Sequence, residues 1–386
     1  MKEGWKIKKL GEVCDSINGL WKGKKEPFVT VGVLRSTNFT KDCRLNLSDI
    51  AYLEVEAKSF EKRKLQKGDI IVEKSGGGPN QPVGRVILFN IDGDFSFCNF
   101  TSALRIKDKT TLNSTYLHRY LAYYYFSGGT IKLQTYTIGL RNLDYNRYLQ
   151  IAIPIPPLSE QQRIVEILDA EFAKIDALKA NAEKSLQAAK DLFQSALKQA
   201  LEPKKNWECK TVAEISENLD YKRIPVTKKD REDGIYPYYG ASGIVDYVKE
   251  YLFDEDLLLV SEDGANLIAR STPIAFSVSG KIWVNNHAHV LRFPTMDLQR
   301  FVEYFFANYD LSDYITGAAQ PKLTQKALNS IIIEYPSDKE ELAAIISRLD
   351  NLDERCKALQ ENYRKTIALC EDLKQALLRK AFNGEL

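Results

Sequence analysis

Between residues 160 and 201 apolar side chains return every seven positions. Leu168, Ile175, Ala182, Ala189 and Ala196 form one series, and Leu178 and Leu192 belong to a second in which Glu171 and Ser185 are weak members. This period predicts a helix with one narrow apolar seam, suited to a single partner helix. Residues 341–382 repeat the pattern, with Leu349, Cys356, Tyr363, Cys370 and Leu377 in one series and Leu352, Leu359, Thr366 and Leu373 in the other. A helix over 160–201 would extend roughly 63 Å at 1.5 Å per residue, which is long for a core element. Two such seams in one chain suit each other as partners.

Each helix follows proline and carries a start signal. "PIPPLSEQQ" places Ser159 before acidic and amide residues, and "YPSDKEEL" uses Asp338 in the same way, while Pro154, Pro156, Pro157 and Pro336 forbid an earlier start. The two helical segments align at a constant offset without a gap. About a dozen pairs are identical, among them Ile164 with Ile345, Leu168 with Leu349, Asp169 with Asp350, and Gln194 with Gln375, which points to a duplicated unit. The segments before the helices also open alike, "WKIKKLGEV" at Trp5 and "WECKTVAEI" at Trp207. They share a thin skeleton, "KGDIIVEKSGGG" with "DEDLLLVSEDGA" and "CNFTSALRI" with "NNHAHVLRF". Short β-prone runs ("DIIVEKS", "GRVILFN", "LLLVSED", "PIAFSV", "HVLRF") accompany two aromatic helices, "TYLHRYLAYYYFS" and "DLQRFVEYFFANY". The expected fold is α+β: two mixed α/β domains at 1–157 and 204–337, separated by long helices at 158–203 and 338–386, with pseudo-two-fold internal duplication.

Composition sharpens this picture only in places. The 386 residues exceed one ordinary core, so two units fit. No apolar run reaches the roughly 20 residues of a membrane span, and the opening residues lack a signal-peptide core, so a cytoplasmic protein is expected. Six cysteines without CxxC spacing predict reduced thiols rather than a zinc site or disulfides. A net charge of +2 means that any attraction to nucleic acid must come from local basic clusters.

Catalytic motifs are missing. "GLWKGKK" and "SGGGPNQP" do not complete a phosphate loop, and "IPPL" lacks the polar and aromatic residues with which amino-methyltransferases hold a flipped base. Asp49, Glu56 and Lys58 have nuclease-like spacing, and His287 and His289 stand at strand spacing without a matching third ligand. No metal site follows from them. Candidate DNA contacts lie in glycine-rich or polar loops: Lys74, Ser75, Asn80, Gln81 and Arg85 in "EKSGGGPNQPVGR", and Thr137, Arg141 and Asn142 in "YTIGLRNL". The second half supplies Glu262, Asn266 and Arg270 in "SEDGANLIAR", and Gln320, Lys322 and Thr324 in "GAAQPKLTQ". Glycines let backbone approach phosphate, while amides, Arg and Glu match base edges.

The junction "IPIPPLSEQQRIVEILD", the opening "WKIKKLGEV", the second-half skeleton "DEDLLLVSEDG" with "NNHAHVLRF" and the ending "LKQALLRKAFNGEL" resemble the specificity subunit of type I restriction-modification systems over essentially the whole chain. The second junction departs by losing one proline and the Gln pair. The resemblance implies a non-catalytic DNA-recognition subunit whose two target recognition domains read the halves of an asymmetric, bipartite site. Its helices would form an antiparallel coiled coil, with Leu168, Ile175, Leu178, Leu192, Leu349, Leu352, Leu359 and Leu373 in the seam. The implied partners are double-stranded DNA, two methyltransferase subunits and two restriction subunits. S-adenosylmethionine, ATP and magnesium belong to those partners, and this chain carries no cofactor. Competing readings are an autonomous nuclease-like enzyme and a coiled-coil scaffold that binds only protein.

Overall fold

The computed structural model describes residues 4–21, 23, 25–78, 81–137, 139–317 and 320–386, with the side chain of Thr137 left out. The β-branched runs become the buried centres of two equivalent sheets. In the first, Ile70–Glu73 lies between Thr101–Ile106 and Val86–Leu88, with Cys14–Asn18 at the far edge. In the second, Leu257–Ser261 lies between Ala288–Arg292 and Ala275–Val278, with Glu217–Asn218 outermost. Every side chain of both central strands is buried, which continuous apolar sequence requires. Each sheet is joined by a second one that contains a parallel pair, Phe28–Leu34 with Phe95–Phe97 and Asp233–Gly240 with Lys281–Val284.

The chain divides into two compact units, and the divide crosses both long helices. One unit comprises Met1–Ala182 with Lys365–Leu386, the other Glu183–Arg364. The first long helix, Leu158–Ala200, starts one residue before Ser159. The Pro157 carbonyl accepts the first backbone bonds of this helix, from the Glu160 N–H at 2.9 Å and the Gln161 N–H at 3.0 Å, so Ser159 lies inside the helix and is not the cap that the sequence suggests. The second, Lys339–Asn383, starts where Asp338 accepts from the Glu340 N–H at 3.0 Å.

Within the first unit the long helices pack antiparallel. Arg163 donates to the Leu386 carbonyl at 2.7 Å, Lys179 meets Glu371 at 2.5 Å, and Asp176 binds Lys374. Leu168, Phe172 and Ile175 share a core there with Cys370, Leu378 and Ala381. In the second unit Leu197 joins Leu342, Ile346 and Leu349. The identical aspartates noted in the sequence hold each aromatic helix to its long helix. Arg119 of Ser114–Phe126 reaches Asp169 at 2.8 Å, and Arg300 of Met296–Asn308 reaches Asp350 at 2.5 Å. The missing Gln at the second junction is also explained. Buried Gln161 accepts from the Asn113 N–H and donates to the Thr111 and Pro156 carbonyls, whereas its counterpart Leu342 is an apolar core residue.

The second column of the seam lies one position away from the predicted one. Leu168, Ile175 and Leu349 are buried and Leu352 is half-buried, but Leu178, Leu192, Leu359 and Leu373 are 51%, 53%, 42% and 48% exposed. The companion series lies four residues after the first rather than three: Phe172, Lys179, Leu186 and Phe193 on one helix, Ile346, Asp353, Gln360, Ile367 and Lys374 on the other. Successive seam positions in a heptad alternate by three and four residues, so either direction fits one series taken alone. Facing charges such as Lys179–Glu371 fill positions that hydrophobicity alone would not assign to a seam.

Candidate nucleic-acid interface

After each central strand the chain turns through one residue held by two backbone bonds. In the first unit this is Lys74, whose N–H donates to the Phe100 carbonyl at 2.8 Å and whose carbonyl accepts from Leu143 at 2.7 Å. In the second it is Glu262, with His287 at 2.9 Å and Leu323 at 2.8 Å in the same roles. The partner strands are hairpins, Gln134–Thr137 with Leu140–Leu143 and Ile315–Thr316 with Lys322–Leu323. Asn142 pairs with Ser75 as Lys322 bridges to Asp263. Two equivalent frames, the first with the longer hairpin, thus carry different side chains.

The first frame brings Lys74, Ser75, Arg141 and Asn142 together. Ser75 hydrogen-bonds Asn142, and Arg141 lies over the exposed Tyr136 ring at 5.5 Å. Lys74 Nζ is 3.3 Å from Asn18 Oδ1 and 5.4 Å from the centre of the Tyr145 ring, and burial holds its ammonium below the usual lysine range. In the second frame burial would raise Glu262, but Arg223 at 2.6 Å and Lys322 at 3.0 Å outweigh it and hold its carboxyl low. Asp220 is likewise lowered against burial, chiefly by His289 at 2.5 Å.

Asp220, Glu262 and His289 are close enough to share a cation, but their ligand atoms are already engaged. His289 Nε2 faces the Leu323 carbonyl at 2.8 Å, and Arg223 and Lys322 occupy the Glu262 carboxylate, so a metal would have to displace two positive side chains. His287 does not share this site; it pairs with Asp263 at 2.9 Å. The nuclease-like residues have separate partners: Asp49 pairs with Arg35 at 2.9 Å, while Glu56 accepts from the Lys25 N–H at 3.4 Å. Burial pushes the Cys14 and Cys43 thiols up to about 12 and His118 down to about 4, so none is a ready nucleophile or proton carrier at neutral pH.

Several candidate contacts are structural instead. Arg85 is buried in a two-bonded pair with Glu73, at 2.9 and 2.7 Å, and donates to the Phe39 carbonyl at 2.8 Å. The exposed Gln81 lies beside that guanidinium, and its amide oxygen would accept from Arg85 at 2.9 Å when turned inward. Arg270 binds the Phe306 and Tyr309 carbonyls at 2.8 and 2.6 Å, closing the end of the second aromatic helix. Asn266 ties the Ser271–Thr272 turn, and Thr324 caps Gln325–Ser330. Glu262 is internally paired, as described above, and Gln320 is exposed beside its hairpin. Asn80 and the side chain of Thr137 lie outside the described residues. Sequence reasoning missed the exposed aromatics Trp21, Phe100 and Tyr221. For Trp21 and Tyr221 the signal was an aromatic residue interleaved with lysine, as in "GLWKGKK" and "DYKR", a pattern suited to stacking and phosphate contact; Phe100 had none.

Residues 2–188 and 204–369 match the family described as "Type I restriction modification DNA specificity domain". The chain belongs to this family. It is a DNA-specificity subunit, and the family is non-catalytic. Among its relatives, the EcoKI specificity subunit of Escherichia coli K12 is 23% identical, covering 100% of this chain and 90% of that one. A putative type I specificity subunit of Haemophilus influenzae is 33% identical over 38% of each chain. The fold matches a solved chain described as "Structural basis underlying complex assembly and conformational transition of the type I R-M system", with a TM-score of 0.79, 18% identity, and coverage of 100% and 99%. It also matches the HsdS subunit of Thermoanaerobacter tengcongensis, with a TM-score of 0.61, 17% identity, and coverage of 100% and 98%. No helix among the described residues is long and apolar enough to cross a membrane.

Proposed function

We propose that each unit reads one half of a bipartite, asymmetric duplex DNA site through its hairpin frame. In the first unit Lys74, Ser75, Arg141 and Asn142 would face the DNA, and in the second Lys322 and Gln320. The supporting observation is the pair of equivalent backbone frames with different side chains at matching positions, Lys74 against Glu262 and Asn142 against Lys322. A shared frame fixes where a side chain is presented; the side chain decides which base edge it suits. The experiment is co-expression with the cognate methyltransferase subunit, followed by mapping of methylated bases across the host DNA. A split motif is expected only when this chain is present, and methylation of an unsplit motif would refute the reading. In this scheme S-adenosylmethionine is bound by methyltransferase subunits, and ATP and magnesium by restriction subunits.

The long helices would dock two methyltransferase copies. The leucines left out of the seam are themselves duplicated: the first unit exposes Leu178 and Leu373, the second Leu359 and Leu192, at equivalent positions. Equivalent apolar patches suit two identical partners. Leu178→Arg together with Leu359→Arg is expected to leave the melting temperature nearly unchanged, since neither residue is buried. The same variant is expected to abolish co-purification with the methyltransferase. Undiminished co-purification would move the docking face elsewhere.

A further inference from the structure

Lys74 is a half-buried cation that the fold does not neutralise. Among the described residues its Nζ meets only the Asn18 side-chain oxygen and the face of Tyr145, and no carboxylate lies within ion-pair distance. Desolvating an ammonium costs free energy that a neutral amide oxygen and a ring offset only in part. The second unit shows what full compensation looks like at the matching position: Glu262 has Arg223 and Lys322 as counter-ions, with His289 3.8 Å away. The difference extends to the surrounding positions. Asn18 and Ser102 in the first frame correspond to Asp220 and His289 in the second, so one floor is self-neutral and the other carries an unmatched positive charge.

We propose that Lys74 is a specificity-determining residue of the first unit and donates to an acceptor-rich base edge, the N7 and O6 of a guanine, in one half-site. The inference rests on the proposed reading of DNA through the hairpin frames. Acceptor atoms are also offered by phosphate, but Lys74 stands on the floor of the frame beside Ser75 and Asn142. Phosphate contacts position a protein without carrying sequence, whereas a lysine held in one place on a frame that differs between the two units suits the paired acceptors of a guanine edge. A bound guanine edge would supply the partner that the fold withholds.

The test uses the full chain with its cognate methyltransferase and three substitutions. Lys74→Met keeps the stem packed on Tyr145 and removes the charge. Lys74→Gln replaces it if the Met variant does not melt cooperatively, and Lys74→Arg keeps the donors. For Met or Gln, discrimination at one position of one half-site is expected to fall roughly tenfold while the other half-site is unchanged; Arg is expected to keep guanine at that position. Two outcomes overturn the proposal: an unchanged motif with uniformly weaker binding and a shallower salt dependence, which marks a phosphate contact, or no change at all, which marks a packing lysine. If the wild-type complex yields no split motif, the reading beneath it fails instead, so the two failures are distinguishable.

Discussion

Arg85→Ala is expected to destabilise the first unit by about 3–5 kcal/mol, the usual cost of removing one partner from a buried ion pair. Its guanidinium and the Glu73 carboxylate are both almost fully enclosed, and Arg85 also satisfies the Phe39 carbonyl. Without it Glu73 is an unpaired charge in the middle of the sheet, on the strand that leads directly to Lys74. Thermal melts and limited proteolysis should show the first unit opening while the second stays protected. Replacing both residues with methionine should restore much of the loss, because the penalty comes chiefly from the stranded carboxylate. A stable, protected Arg85→Ala protein with an altered DNA motif would instead return Arg85 to the reading surface, where its sequence context first suggested it belonged.

That contrast shows where sequence was informative. Central strands, aromatic helices and both long helices were legible because each rests on local periodicity: continuous apolar runs at Ile70–Glu73 and Leu257–Ser261, and heptads from Leu168 and Leu349 onward. The duplication was legible because Asp169 and Asp350, and the leucines around them, serve the same packing and so kept their spacing. The site was not legible to the same degree. "EKSGGGPNQPVGR" contains both Lys74, which faces Asn18 and Tyr145, and Arg85, which faces inward. Arg85's counter-ion, Glu73, stands at the other end of the same segment, and only the pairing of the two strands brings the two side chains together. The same holds for Arg270, whose carbonyl partners come from the end of a helix more than thirty positions on. Polar residues in loops advertise hydrogen-bonding capacity but not direction, and direction is set by tertiary pairing.

The seam shows the complementary limit. A seven-residue period fixes that a seam exists and leaves its second column open by one position. The alternative column, with Leu178 and Leu192, looks as apolar as the real one, with Phe172 and Phe193. Half-exposed leucines at heptad spacing imitate a core in sequence, which is why the period alone assigns Leu178 and Leu192 to the interior.

Removing one heptad from the middle of each long helix, residues 180–186 and 364–370, is expected to shorten the unread gap of the methylated motif by about three base pairs. Seven residues span roughly 10.5 Å of helix, against about 3.4 Å per base pair of duplex. The deletion also keeps the seam in phase, because seven residues turn an α-helix to within about 20° of its starting orientation. Five-residue deletions at the same places are the control: five residues turn an α-helix by about 140° beyond a full turn, so each seam faces away from its partner and loss of cooperative melting is expected rather than a new motif. Mapping of methylated bases reads the result directly, since both half-sites should persist while their separation changes. A heptad-deleted protein that folds, supports methylation and keeps the original gap would show that the helices do not set the distance. Half-site spacing would then have to come from the recognition units or from the partner subunits.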